Sequence, residues 1–309
     1  MNKTKVFAPF LVFWILTFCG CSSGVALSQR GIVKAVFADK TITNYVVGLV
    51  IVQGSEKEAG KEEISLQWGE GETLAQAIQQ AEQQGQSVVF YGQNQLLFAG
   101  KQASQKGLGK VLDYFGTEQA SRPNMAVYAT EQTPEEFEEW TEQEDFFQQL
   151  NGLEKDLEKS HKQARMIYEL NTGEQKAEGL VPFLDKKENG TDTSQLVLYE
   201  DDTPILLLKE NQAQLARLLL GTPVVLEYVT QYQGNSIGYS LQTPRITHEI
   251  QLENGKPILH LTLQGSVRGI TAATAQMQAQ LSRWESRKEL SQKFLRNCNS
   301  YYNKHGNKD

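Results

Sequence analysis

Hydrophobic positions along the chain change period as it is read, and each change predicts an element. Residues 31–39 and 44–52 are almost unbroken runs of Val, Ile, Leu and Ala joined through Asp39-Lys40, which predicts two strands. The polar residues 53–63 predict a loop. Leu74, Ala77, Ile78 and Ala81 then recur at helical spacing. Thr73-Leu-Ala-Gln76 ahead of them reads as a capping box, and Gly85 stops the helix. Strands are predicted at 87–91 and 96–99. A second helix follows on Leu108, Val111, Leu112 and Phe115, ended by Gly116, and then a strand at 125–129. Strands alternate with helices, yet their close-set pairs predict a mixed sheet rather than a doubly wound parallel one.

The next signal is a helix start. In Thr133-Pro134-Glu-Glu136, Thr is the N-cap, Pro takes the first helical position and Glu the third. The acidic stretch from Glu135 to about Lys162 carries Phe137, Trp140, Phe147, Leu150, Leu153 and Leu157. It predicts one or two surface helices whose charges form a solvated face. Residues 185–194 read as a linker. Beyond them, 195–199 and 205–208 flank a turn at 201–204, and Leu215, Leu218 and Leu219 mark a helix ended by Gly221.

Four β-rich stretches follow at 224–230, 236–241, 245–252 and 258–264. Asn254-Gly255 is the clearest hairpin signal in the chain, and a two-residue turn there dictates the pairing around it. Ile246, Ile250 and Leu252 are set against Leu263, Leu259 and Pro257, with His248 opposite Leu261 and His260 opposite Glu249. From about Thr271 onward the pattern predicts one long helix bearing Met277, Leu281, Trp284, Leu290, Phe294 and Cys298. The fold class expected is α+β: mixed or antiparallel sheets flanked by helices, in more than one domain. The division expected is an N-terminal unit at 30–190, with an acidic helical segment at about 134–170, and a C-terminal unit at 191–309.

The first residues bear on location. Lys3 and Lys5 precede an apolar run from Val6 to Phe18, and Cys19-Gly20-Cys21-Ser22-Ser23 comes next. The run is shorter than the about 20 apolar residues a membrane-spanning helix needs. It has the length of an export-signal core, with Gly20 as the small residue before cleavage. A cysteine at this place resembles the bacterial lipoprotein signal, in which Cys21 is acylated and becomes the first mature residue. Residues 21–29 would then be a tether. Two acyl chains, at roughly 0.8 kcal/mol per buried methylene, hold a protein on a membrane where one is marginal. Plain secretion and an uncleaved anchor are the other readings of the same signal.

Composition narrows the function classes. With 39% hydrophobic residues and a mean hydropathy of −0.44 the chain is of the folded, soluble type. Its net charge of −7 argues against a nucleic-acid partner. With Cys19 removed and Cys21 acylated, Cys298 has no partner for an internal disulfide. Gly107-Leu-Gly109-Lys110 looks like a phosphate loop, but the spacing requires Gly at 104, where Ser104 stands, and Val111 follows the lysine. The expected pairing puts His248 and His260 on opposite faces of a ribbon, which separates them as metal ligands. His161 and His305 read as solvent histidines. No catalytic constellation, metal site or cofactor motif is predicted.

Three groups of segments, in this order, resemble a known family. They are Arg30-Gly-Ile-Val leading to Asp39 and then Tyr45-Val-Val; Thr73-Leu-Ala-Gln-Ala-Ile78 with Val89-Phe-Tyr-Gly92 and Gly107-Leu-Gly-Lys-Val-Leu-Asp-Tyr-Phe115; and Gln195-Leu-Val-Leu-Tyr-Glu-Asp-Asp with Pro204-Ile-Leu-Leu-Leu208. Together with the lipoprotein signal they resemble the C-subunit lipoproteins of bacterial spore germinant receptors, the Ger(x)C family, over roughly residues 30–268. The resemblance implies a non-enzymatic subunit, lipid-anchored through Cys21 on the outer face of the spore's inner membrane. It would work without a cofactor, through contacts with the receptor's two integral-membrane subunits, A and B. It also implies a further strand after the long C-terminal helix, one the chain does not reach. Two other classes stand beside it: an extracytoplasmic solute-binding lipoprotein of a transporter, which needs two lobes around a cleft, and a cell-envelope hydrolase, which needs a catalytic pair.

Overall fold

The computed structural model of the protein describes residues 30–54, 62–85, 87–117, 124–159, 165–166, 170, 176–188, 190–219, 226–232, 235–253 and 256–272. Strands β1 (Arg30–Lys40) and β2 (Tyr45–Gly54) pair antiparallel, as their apolar runs predict. β3 (Glu62–Gly71) extends this edge antiparallel to β2. It was not expected, although Ile64, Leu66 and Trp68 alternate with the period of two that marks a strand.

Helix α1 (Leu74–Gln84) has the anticipated cap. Thr73 Oγ1 accepts from the Gln76 N–H, and the Gln76 side chain accepts from the Thr73 N–H. Its buried residues are the predicted Leu74, Ala77, Ile78 and Ala81. β4 (Val88–Phe90) and β5 (Leu96–Ala99) do not pair with each other: both lie parallel to β1, one after the other along the same edge. α2 (Lys101–Gln105), a short helix not anticipated, precedes α3 (Leu108–Thr117), which buries the expected Leu108, Val111, Leu112 and Phe115. β6 (Ala126–Thr130) lies parallel to β5.

α4 (Pro134–Thr141) opens with the second predicted capping box, Thr133 with Glu136. α5 (Phe146–Lys159) follows. The apolar stripe of this pair is Phe137, Trp140, Phe146, Leu150 and Leu153, so Phe146 rather than the expected Phe147 goes inward. β7 (Arg165–Met166) and β8 (Gly179–Lys187) both pair with β6. β9 (Gly190–Glu200) and β10 (Thr203–Leu208) complete a sheet of ten strands, with the order β10-β9-β8-β6-β5-β1-β2-β3 and β4 and β7 beside it.

Residues 185–194, expected as a linker, are therefore the end of β8 and the start of β9, with Asp185 opposite Asp192 and Lys187 opposite Gly190. Sheet pairing here is carried by backbone groups, which leave no apolar pattern to read. The strands on either side of residue 190 belong to one sheet.

That sheet is covered on both faces. Val36, Ala38, Leu49, Ile51, Leu97, Ala99, Val127 and Ala129 pack against α1, α2 and α3. The alternate residues Ala35, Phe37, Val50, Leu96, Phe98, Ala126 and Tyr128 pack against α4 and α5. Burial on both faces is why these strands read as continuous apolar runs rather than alternating ones. Phe137 stands at the centre of the second layer, stacked on Phe37 at 4.5 Å and edge-on to Trp68, Trp140 and Phe146. Gly69 lets α1 lie directly on β3: a Cβ there would stand 2.0 Å from the Ala77 carbonyl oxygen.

After α6 (Glu210–Leu219) a separate three-stranded antiparallel sheet is formed by β11 (Leu226–Tyr232), β12 (Asn235–Glu253) and β13 (Lys256–Ala272). The stretches 236–241 and 245–252 are one strand, broken by a register shift between Gln242 and Arg245. Pro244 falls in that shift, the place within a strand where its missing N–H is tolerated. The ladder beyond it is the expected one: Ile246 faces Leu263, His248 faces Leu261, Glu249 faces His260, Ile250 faces Leu259 and Leu252 faces Pro257. Thr271 and Ala272 close β13, and the long helix expected after them lies outside the described residues. The architecture is the anticipated α+β class, with a large mixed sheet flanked by helices.

Candidate functional site

One segment from each of the three groups that suggested a family, 30–39, 107–115 and 195–208, reaches the same place, around α2 and the entry to α3. Asp39, at the end of β1, is 2% exposed, and its Oδ1 accepts a 2.8 Å bond from the Ala103 N–H. It thereby supplies, from another strand, the acceptor that the first turn of α2 lacks, since Gly100 at its N-cap has no side chain. Gly100 is required by this contact, because a Cβ would come within 2.6 Å of the Asp39 side chain. Burial raises the Asp39 carboxyl above its ordinary value, against the opposing pull of backbone N–H groups of Ala103, Lys40 and Gln102.

β9 reaches the same helix from the far side. The buried Tyr199 hydroxyl donates to the Ser104 carbonyl oxygen at 2.8 Å, and Ser104 Oγ donates to the Ala99 carbonyl at 2.7 Å. Burial pushes the Tyr199 phenol above its ordinary value, so it serves as a fixed donor. The β9–β10 turn then brings in a carboxylate. Asp201 and Asp202 have φ of 52° and 65°, the left-handed pair of a tight hairpin turn. Asp202 Oδ1 accepts from the Gly109 N–H at 2.6 Å and from the Ala177 N–H at 3.3 Å.

This explains the phosphate-loop look-alike. Gly107, at φ 115°, turns the chain into α3, whose N-terminal N–H groups would suit an anion. The Asp202 carboxylate of the same chain already stands there. The junction is a set of hydrogen bonds that ties β1, α2, α3, β9 and the β9–β10 turn together, with Asp39, Ser104, Tyr199 and Asp202 each bonded to backbone groups.

Cys21, the lipid-attachment residue expected from sequence, lies outside the described residues, as do His161, Cys298 and His305. His248 and His260 occupy register positions on opposite faces of the β12–β13 ribbon. Among the described residues no group of three or more His, Cys, Asp or Glu is placed to hold a metal ion. Among them, too, no helix is long and apolar enough to cross a membrane. Sequence reasoning marked Asp39 only as the end of a strand and Asp202 only as part of a turn. The one available signal for the second was the Asp201-Asp202 pair ahead of Thr203-Pro204.

Residues 24–174 match the family described as the spore germination protein N-terminal domain. No curated protein sequence matches the chain. Among solved structures it is similar to the crystal structure of the GerBC protein, at 12% identity over 77% of this chain and 72% of that one, with a TM-score of 0.44. Residues 24–174 thus belong to the spore germination protein N-terminal domain family, in line with the Ger(x)C resemblance of the sequence.

Proposed function

We propose that the protein is the lipid-anchored C subunit of a nutrient germinant receptor, acting by contact with the receptor's integral-membrane A and B subunits at the outer face of the spore's inner membrane. The family match over residues 24–174 carries this reading. The N-terminal signal supports the anchor: a basic start, an apolar core too short to span a membrane, and Gly20-Cys21 at its end. The two-sided core of the large sheet supports a scaffold rather than a reaction vessel. Its named polar groups at the α2–α3 junction are engaged in holding backbone. The role is one of assembly, in which the acyl chains keep the subunit beside its membrane partners and the folded domain presents the contact surface.

The experiment is a Cys21→Ala replacement at the native locus of a spore former with no second copy of this subunit. The expected outcome is loss of the protein from the membrane fraction together with loss of the response to the receptor's nutrients, while germination by non-nutrient routes is unchanged. A native N-terminus shown by mass spectrometry to carry no acyl group would overturn the anchor. Undiminished nutrient germination after deletion of the gene would overturn the receptor role.

A further inference from the structure

The short strand β4 lies parallel to the start of β1, with Arg30 opposite Val88, Gly31 opposite Val89 and Ile32 opposite Phe90. Its middle residue, Val89, packs against the core under α1, α2 and α3. Side chains alternate faces along a strand, so Val88 and Phe90 belong to the other face, the one that α4 and α5 cover. On β1 that cover takes in Ala35 and Phe37. Its border is marked by Lys34, whose Nζ stands 3.7 Å from a carboxylate oxygen of Glu154 on α5. Outside the border Val88 is 58% and Phe90 38% exposed, with the half-buried Ile32 beside Phe90. Single apolar residues on a surface need no explanation, but these three adjoin one another.

We propose that Val88 and Phe90 rest on the lipid surface, entering the boundary between headgroups and acyl chains. The proposal rests on the Cys21 anchor put forward above and goes beyond it, because an anchor limits distance and leaves orientation open. The occupant follows from where the patch lies. Nine residues separate Cys21 from Arg30, so even a fully extended chain keeps the start of β1 within about 32 Å of the acylated residue. The other end of β1 lies about 33 Å further along the strand. Among the described exposed apolar residues of this sheet, Val88 and Phe90 adjoin the anchored end. Ile42 is in the turn beyond the opposite end, and Ile205 and Leu206 are on β10 at the far edge. Three side chains supply far less than the about 800 Å² per partner that a specific protein interface takes. A bilayer boundary needs no shaped partner, and binding there grows with the apolar area buried. Docked in this way, β1 runs away from the membrane and the Ile42 turn faces water.

The test uses the full chain, acylated at Cys21, with Cys298→Ser and one introduced thiol, Val88→Cys, Phe90→Cys or Ile42→Cys, carrying an environment-sensitive fluorophore. The protein is reconstituted alone in vesicles of phosphatidylethanolamine and phosphatidylglycerol that include lipids with a quencher high on the acyl chain. Emission from 88 and 90 is expected to fall about threefold or more while that from 42 hardly changes, since only a group about 5–10 Å into the boundary meets the quencher. Positions 88 and 90 make the same test, so one decides should the other variant fail to fold. Flotation of the same vesicles reports the anchor separately. Protein that floats while 88 and 90 are quenched no more than 42 overturns the proposal and leaves the anchor standing. Protein that does not float overturns both. Probes at 88 and 90 that are shielded from aqueous iodide yet unquenched by lipid assign the patch to a protein contact, and that too overturns the proposal.

Discussion

The two sheets of this protein solve the same problem differently. In the ten-stranded sheet each central strand sends alternate residues into two cores, one under α1, α2 and α3 and the other under α4 and α5. In the three-stranded sheet the alternation separates an apolar face from a polar one, and at its tip Ile250 and Leu252 remain open to solvent. A strand buried on both sides is located by its neighbours whichever way it faces. A strand with one apolar side depends on a single cover, and among the described residues its tip is held by the backbone ladder to its partner strand. The first sheet is therefore held from both sides, whereas the second exposes Ile250 and Leu252 at its tip.

The largest effect that would break this contrast lies at Phe137. It is fully buried and touches four other aromatic rings named above, so Phe137→Ala removes the keystone of the α4–α5 layer. The expected cost is about 3–5 kcal/mol in denaturant unfolding. A loss under about 1 kcal/mol would mean that the second face of the large sheet is not a packed core. Gly69→Ala tests the first face from outside. Its Cβ would meet the Ala77 carbonyl oxygen and the Ala81 nitrogen at 2.0 and 2.4 Å, both backbone atoms of α1 that cannot swing away. Overpacking of this kind costs about 1–3 kcal/mol, and the change should appear as earlier melting.

How much of this was legible in advance follows the range of the interactions. Both capping boxes, at Thr73 and Thr133, could be read because donor and acceptor lie three residues apart. The β12–β13 register could be read because a two-residue turn fixes which positions meet, and the observed ladder keeps Glu253 opposite Lys256. β3 went unseen beside a polar loop, although its alternation was present in Ile64, Leu66 and Trp68. The α2–α3 junction was beyond reach for a different reason. Asp39, Tyr199 and Asp202 bind backbone groups of Ala103, Ser104 and Gly109, at separations of 64, 95 and 93 residues. Any residue offers an N–H or a C=O, so nothing in the identity of the recipient announces the bond.

A smaller effect distinguishes the junction from an ordinary surface carboxylate. Burial raises the Asp39 carboxyl in the folded protein above 3.8, so the folded state holds that proton to higher pH than the unfolded chain does. By linkage the contribution of this group is most favourable at pH below 3.8 and declines as the pH rises through the raised folded value. Asp39→Asn cannot ionise and lacks that decline. The stability of the native protein minus that of the variant should therefore fall between pH 3 and pH 7, measured by urea unfolding at each pH. A difference that rises with pH would show a carboxylate stabilised as the anion, and the junction would then be an ionic site rather than a buried hydrogen-bonded one.

The smallest effect is expected at the free tip. Leu252 is 76% exposed and stands opposite Pro257 in the last pairs before the turn, so Leu252→Thr removes almost no buried area and keeps a residue suited to a strand. Its cost should lie within about 0.5 kcal/mol, the range of surface substitutions that touch no special feature. The informative outcome is the contrast with Ile246→Thr, nearer the base of the same ribbon on the same face. If only the base substitution destabilises, the apolar face is covered at one end and open at the other. The tip would then hold its leucine for a reason other than folding, because an exposed apolar pair at the end of a long hairpin gains nothing from the solvent around it. Equal and substantial losses at 246 and 252 would instead place the whole ribbon inside a core, and the division drawn here between the two sheets would dissolve.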